Sequence, residues 1–118
     1  MLQRAIHRGD LFWLGPDPAN PIAHPHLVVQ DDVFNLSRVH SVIVCALTSN
    51  LSRMHEPGNV LLEVGEGLLA KQSVVVASQI SAVDKSALGE RIGSLSAERV
   101  EQVLAGLRFL QASFFPRG

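Results

Sequence analysis

"SVIVCALT", residues 41–48, carries six apolar residues in a row between a serine and a threonine. Its β-branched density favours a strand. Because strand side chains alternate between faces, unbroken apolarity predicts burial on both sides, the pattern of a central strand rather than an edge. Upstream, "DLFWL" (10–14) and "HLVVQ" (26–30) read as a first and second strand. They are separated by "GPDPANP" (15–21), whose three prolines and one glycine leave no room for regular structure. "DDVFNLSRVH" (31–40) reads as a short helical or irregular turn opened by the capping residues Asp31 and Asp32. Downstream, "SNLSRMHEPGN" (49–59) is a polar loop, and "NVLLEV" (59–64) and "SVVVASQI" (73–80) are two further strands. Gly65 and Gly67 in "GEGLLAKQ" (65–72) allow a tight reversal between them, and "ERIGSL" (90–95) is a short last strand.

From Ser96 onward the period changes. Val100, Val103, Leu104, Leu107 and Leu110 recur at helical spacing, Ser96 is placed to cap the first turn, and Glu98 and Arg108 suit the dipole. "QASFFPRG" at the end is expected to finish the helix packing with Phe114 and Phe115, the alternative being a cap on a dimer seam. Strands followed by one segregated helix predict a mainly β, α+β fold: a small, largely antiparallel barrel or sheet with a C-terminal helix packed on it. A chain of 118 residues suits a single domain over 1–118.

Composition narrows the function. An apolar fraction of 47% with 18% charged residues belongs to a folded protein. The chain has no apolar run of the roughly 18 residues that a membrane-spanning helix needs, and its start lacks the layout of a signal peptide. The cytoplasm is therefore the expected compartment, with no membrane partner. Cys45, the only cysteine, reads as a buried, inert core thiol. A net charge of −1 does not suit a nucleic-acid coat. Any such role falls to a local patch, for which Arg4, Arg8, Arg38, Arg53 and Lys71 are the candidates, dispersed solubilising charges being the alternative.

Phosphate loops, paired-cysteine zinc patterns, nucleophile elbows and dinucleotide fingerprints are all missing from the sequence. What remains is polar chemistry at strand ends: His24 and His26 in "AHPHLVVQ" (23–30), Thr48 and Ser49, and Ser78 and Gln79. In an extended strand the two histidines share a face. They are suited to work as an acid and base pair, since imidazole titrates near pH 6.5. Zinc would need a third ligand from His7, His40 or His55, and plain surface histidines are the bland alternative.

The order of segments resembles the MazF/PemK (Kid) toxins of bacterial toxin–antitoxin systems. The likeness runs through "RGDLFWLGPDP" (8–18), "HPHLVVQDDVFN" (24–35), "VIVCALTSN" (42–50) and "GLLAKQSVVVASQISAVDKSALGERIGSLS" (67–96). It implies an SH3-like, CcdB/PemK-like small β-barrel and a homodimer. The implied activity is a sequence-selective endoribonuclease that needs neither metal nor cofactor and cuts single-stranded RNA, such as mRNA, to 2′,3′-cyclic phosphate and 5′-hydroxyl ends. A MazE-like antitoxin would hold it inactive, with operator DNA met only through that antitoxin.

The resemblance places His24 where the family's Arg-Pro carries its catalytic arginine, with Thr48 assisting and His26 completing a replacement pair. Arg8, Asp17, Ser49, Arg53, Ser78 and Gln79 become the RNA-binding candidates. The chain departs from the pattern at three polar positions: the loop between Pro18 and His24 lacks an acidic residue, Ser78 replaces an aspartate and Ser81 an arginine. Two other readings therefore stay open, a toxin-fold protein that binds antitoxin, RNA or operator DNA without cutting, and a gyrase-directed toxin of the CcdB kind.

Overall fold

The protein is described by a computed structural model covering residues 5–16, 18 and 21–115. Six strands, β1 (Asp10–Leu14), β2 (His24–Val28), β3 (Ser41–Thr48), β4 (Val60–Leu62), β5 (Ser73–Asp84) and β6 (Leu88–Ser94), form one sheet in the order β4-β5-β3-β2-β1-β6. Every pairing is antiparallel. Helix α1 (Asp32–Asn35) follows β2, and α2 (Ala97–Ala112) follows β6. The expected barrel takes the form of a sheet with two edges, β4 and β6.

"SVIVCALT" is an inner strand, as its apolarity predicts. Val42 and Val44 join Phe12, Val28 and Leu88 in one apolar cluster. Cys45 and Leu47 join Leu11, Leu27 and Val75 in another, which Val103 of α2 completes. Alternation along β3 thus feeds two cores on opposite faces of the sheet. Ile43 is the exception, left 38% exposed. Several bounds differ from the sequence reading. β2 begins earlier and takes in His24 and Pro25, because these residues pair with Leu14 and Trp13 of β1. β5 runs on to Asp84, held by β3 from Ser41 onward. The polar loop after β3 contains a 3₁₀ turn, Leu51–His55, capped by the Asn50 side chain.

Helix α2 starts where Ser96 accepts the Arg99 amide proton, and buries Val103 against the sheet. It meets the turn before β4 backbone to backbone: a Cβ on Gly106 would run into the Gly58 carbonyl. Gly58 itself sits at φ +87°, a conformation glycine adopts without steric penalty. At the helix start Arg99 grips Glu66 by two parallel bonds of 2.8 and 3.0 Å, which ties the reversal after β4 to α2. Phe114 and Phe115 do not finish the packing as expected, since they are 71% and 64% exposed. The Gly106 contact predicts that Gly106→Ala lowers stability by about 1–3 kcal/mol through overpacking. Ala105→Gly, one position away on the exposed side, should cost about 1 kcal/mol or less; urea unfolding of the two variants separates a seam effect from helix propensity.

Candidate active site

The β2 and β3 termini meet at one end of the sheet. His26 lies opposite Ala46 of β3 and Phe12 of β1, and His24 opposite Leu14. Alternation puts His24, His26, Ala46 and Thr48 on the face away from α2. There they line a polar cleft of about 270 Å³ together with Arg53 and Gln79. Trp13, Pro25 and Leu47 turn the other way and contribute to a second, more apolar cleft of about 460 Å³, edged by Leu68, Lys71 and Arg91. His24, Leu47 and Thr48 line both clefts. They stand at the junction between a polar and an apolar hollow.

His26 is buried, and its Nδ1 lies 3.0 Å from the carbonyl oxygen of His24. A carbonyl has no proton to give, so Nδ1 carries the hydrogen and donates it, leaving the lone pair of the neutral ring on Nε2. Burial, opposed by the carbonyl bond and reinforced by the neighbouring His24, lowers the pKa of His26 below the ordinary histidine value. Thr48 accepts the Asn50 amide proton on Oγ1 at 3.1 Å, which fixes the side chain while leaving its own O–H able to donate.

Gln79 reaches this cleft because β5 breaks step with β3. Pairing passes from Leu47↔Val75 to Cys45↔Ile80, so four residues of β5, numbers 76–79, face one of β3. The looped-out backbone is satisfied by side chains: the Cys45 thiol lies 3.0 Å from the Val76 carbonyl, and Asn59 Oδ1 accepts the Ala77 amide proton at 2.9 Å. Burial pushes the Cys45 thiol up to about 12, which makes it a donor to a carbonyl rather than a nucleophile, in keeping with an inert core cysteine. Arg53 is carried on the 3₁₀ turn, where Glu56 takes its Nε and Nη2. That contact holds the Glu56 carboxyl below its usual range.

The fold therefore gathers His24, His26, Thr48, Arg53 and Gln79, and sets Ser49 on the apolar side of the same junction. It does not bring Arg8 there. Arg8 binds Val29 O at 2.9 Å and faces Asp31 and Asp32 at the far end of β2, so its charge is spent on holding that turn. Ser78 is exposed and not part of either cleft lining, whereas its neighbour Gln79, also exposed, lines the polar cleft. Asp17, like Arg4, lies outside the described residues. The polar cleft holds no third histidine, cysteine or carboxylate among the described residues. Asn59, Trp13 and Arg91 were not read from the sequence as site residues. An asparagine beside a glycine reads as turn chemistry, and the other two as strand positions.

Residues 7–110 match the family described as the PemK-like, MazF-like toxin of type II toxin-antitoxin systems. The chain is 36% identical over 107 residues to Endoribonuclease MazF6 of Mycobacterium tuberculosis, a match that covers 87% of this chain and 94% of the relative. Among solved structures, an endoribonuclease in complex with its cognate antitoxin from Mycobacterial species superposes with a TM-score of 0.77 at 21% identity, over 95% of this chain and 100% of that one. A MazE-MazF complex from Deinococcus radiodurans gives 0.75 at 22% identity, over 93% and 98%. At those identities the superpositions speak for the fold, while the sequence matches extend over the strands that build both clefts. On that ground the chain belongs to the PemK-like, MazF-like toxin family of type II toxin-antitoxin systems.

Proposed function

We propose that residues 1–118 form a single toxin domain that cleaves single-stranded RNA without a metal or cofactor. The observation that supports it best is the buried His26, held as its Nδ1–H tautomer beside His24, Thr48, Arg53 and Gln79 in one cleft. In this reading Nε2 of neutral His26 takes the proton of a ribose 2′-hydroxyl. The 2′-oxygen attacks the adjacent phosphorus, and the bond from phosphorus to the 5′-oxygen breaks. The imidazolium of His24 returns a proton to that oxygen, giving a 2′,3′-cyclic phosphate and a 5′-hydroxyl. Thr48 O–H and the Arg53 Nη1, which Glu56 does not occupy, donate to the phosphate oxygens as charge builds on them. Gln79 offers amide donors and an acceptor to a base edge, and Ser49 a hydroxyl on the apolar side. Two imidazoles thereby do with proton transfer what an arginine does with charge alone.

The relatives' names support both RNA cleavage and an antitoxin partner, and an RNA-cleaving toxin of this kind works in the cytoplasm. A second copy of the chain is accommodated on the α2 side, where Ile43, Ile80, Phe34, Leu104 and Leu107 line an apolar groove of about 560 Å³. Operator DNA enters only through the antitoxin.

Purified protein freed of antitoxin, incubated with a defined single-stranded RNA pool in EDTA, is expected to leave cyclic-phosphate and 5′-hydroxyl ends by mass. His26→Ala and His24→Ala should each reduce the rate by roughly 10²–10⁴-fold. Intact RNA across a broad pool would instead leave a binding protein on a toxin scaffold.

The pH dependence follows from His26. As its pKa in the folded chain is lowered, the base stays unprotonated below the ordinary value, and the acid limb of kcat/KM should lie below about pH 6.5. The same shift acts on stability: above about pH 6.5 both states hold His26 neutral, and as pH falls through that value the unfolded chain takes up the proton first. The melting temperature should therefore fall on acidification, and His26→Gln should flatten that dependence. An acid limb at or above pH 6.5 that His26→Gln leaves in place would remove His26 from the base role.

A further inference from the structure

Asn59 uses its whole amide to join two segments that the sequence keeps apart. Oδ1 accepts the Ala77 amide proton at 2.9 Å, inside the register break of β5. Nδ2 donates to the Arg53 carbonyl at 2.9 Å and to Glu56 Oε1 at 3.1 Å. Glu56 in turn binds the Arg53 guanidinium at 3.0 Å. One arm thus ends two residues before Gln79, and the other on the turn that carries Arg53. Both Gln79 and Arg53 line the polar cleft, whereas Asn59 lines none of the clefts described here.

The Ala77 N–H falls within the four residues of β5 that face a single residue of β3, and the acceptor it finds there is the Asn59 side chain. The Arg53 carbonyl sits in a 3₁₀ turn where it also meets the Glu56 amide at 3.1 Å. Gly58, immediately before, is at φ +87° and packs on Gly106 of α2. That contact sets the backbone that aims Asn59. A side chain one methylene longer would overshoot, and aspartate would keep the acceptor while losing both donors.

We propose that Asn59 is a positioning residue, which sets Arg53 and Gln79 at a fixed separation across the polar cleft so that a phosphate and its neighbouring base are gripped together. This rests on the RNA-cleaving reading of that cleft. Because aspartate preserves only the Ala77 arm, the two arms are separable. Asn59→Ala releases both, and Asn59→Asp releases the Arg53 arm alone while setting a second carboxylate beside Glu56.

The test is a set of double-mutant cycles on kcat/KM for a defined RNA, with thermal melting and hydrogen exchange of the Ala77 amide on each variant. Asn59→Ala is expected to lower kcat/KM roughly ten- to a hundredfold, carried mostly by KM, with faster exchange at Ala77. In the Arg53→Ala or Gln79→Ala background its further effect should shrink in part, since one arm then positions nothing, and with both Arg53→Ala and Gln79→Ala present it should shrink to about twofold or less. Asn59→Asp should keep the Ala77 protection, couple to Arg53→Ala and add independently to Gln79→Ala. Full additivity in every background, with losses that track melting temperature alone, would overturn the proposal and make Asn59 a fold residue. Wild-type protein that leaves RNA intact would overturn the cleavage reading itself, and the role of Asn59 with it.

Discussion

The β3–β5 register break is the constraint on which the site depends. An antiparallel ladder satisfies its own backbone only while residues pair one to one. Between Leu47↔Val75 and Cys45↔Ile80 that equality fails, and residues 76–79 need other partners for their polar groups. An unsatisfied buried amide or carbonyl costs about 1–3 kcal/mol, comparable with a sizeable share of a small domain's stability. The chain meets the demand with Cys45 on the Val76 carbonyl and Asn59 on the Ala77 amide. A regular β5 would have carried Gln79 along the ladder. The broken one lets it enter the cleft beside His26 and Thr48. The irregularity and the lining of the cleft are thus one feature seen at two scales.

The same economy governs the histidines. Burying an imidazole favours its neutral form, and a neutral imidazole has one donor and one acceptor. The His24 carbonyl takes the donor from His26, which settles the tautomer without a carboxylate. Pro25 between them, held opposite Trp13 in the β1–β2 ladder, keeps the backbone extended, so that a ring at position 26 can reach back to the carbonyl at 24. The three residues "HPH" therefore act as one unit of local geometry. An arginine in place of His24 would have offered a permanent charge. An imidazole, unlike a guanidinium, is a group that can serve proton transfer.

The inner strand and the capped C-terminal helix were legible because each is written in periodicity or in an unbroken apolar run. Ser96 capping Arg99 and Asp31 capping Val33 follow from local spacing in the same way. The register break was not legible, since "SVVVASQI" alternates no differently from a regular strand, and only its partner reveals the extra residues. Arg8 shows a related limit: a basic residue next to a site motif in sequence reads as site, while in the fold the turn at the far end of β2 holds it with Val29 and Asp31. Asn59 was passed over because "PGN" is ordinary turn chemistry, and its reach to Ala77 spans 18 positions. Local rules resolve local partners. The site is made almost wholly of distant ones.

The glycine seam carries this one step further. Gly106 lets α2 approach the Gly58 carbonyl so closely that no side chain fits between them. Gly58 precedes Asn59, and Asn59 holds the segments behind Arg53 and Gln79. The helix that completes one core is thereby in rigid contact with the turn that sets the cleft on the opposite face of the sheet. A packed core transmits displacement because it has few voids to absorb it. The helix that lines the α2 groove, where Ile43 and Ile80 stand exposed, packs on the same turn. Two glycines and one asparagine thus make a continuous run of contacts from the helix to the segments that carry Arg53 and Gln79.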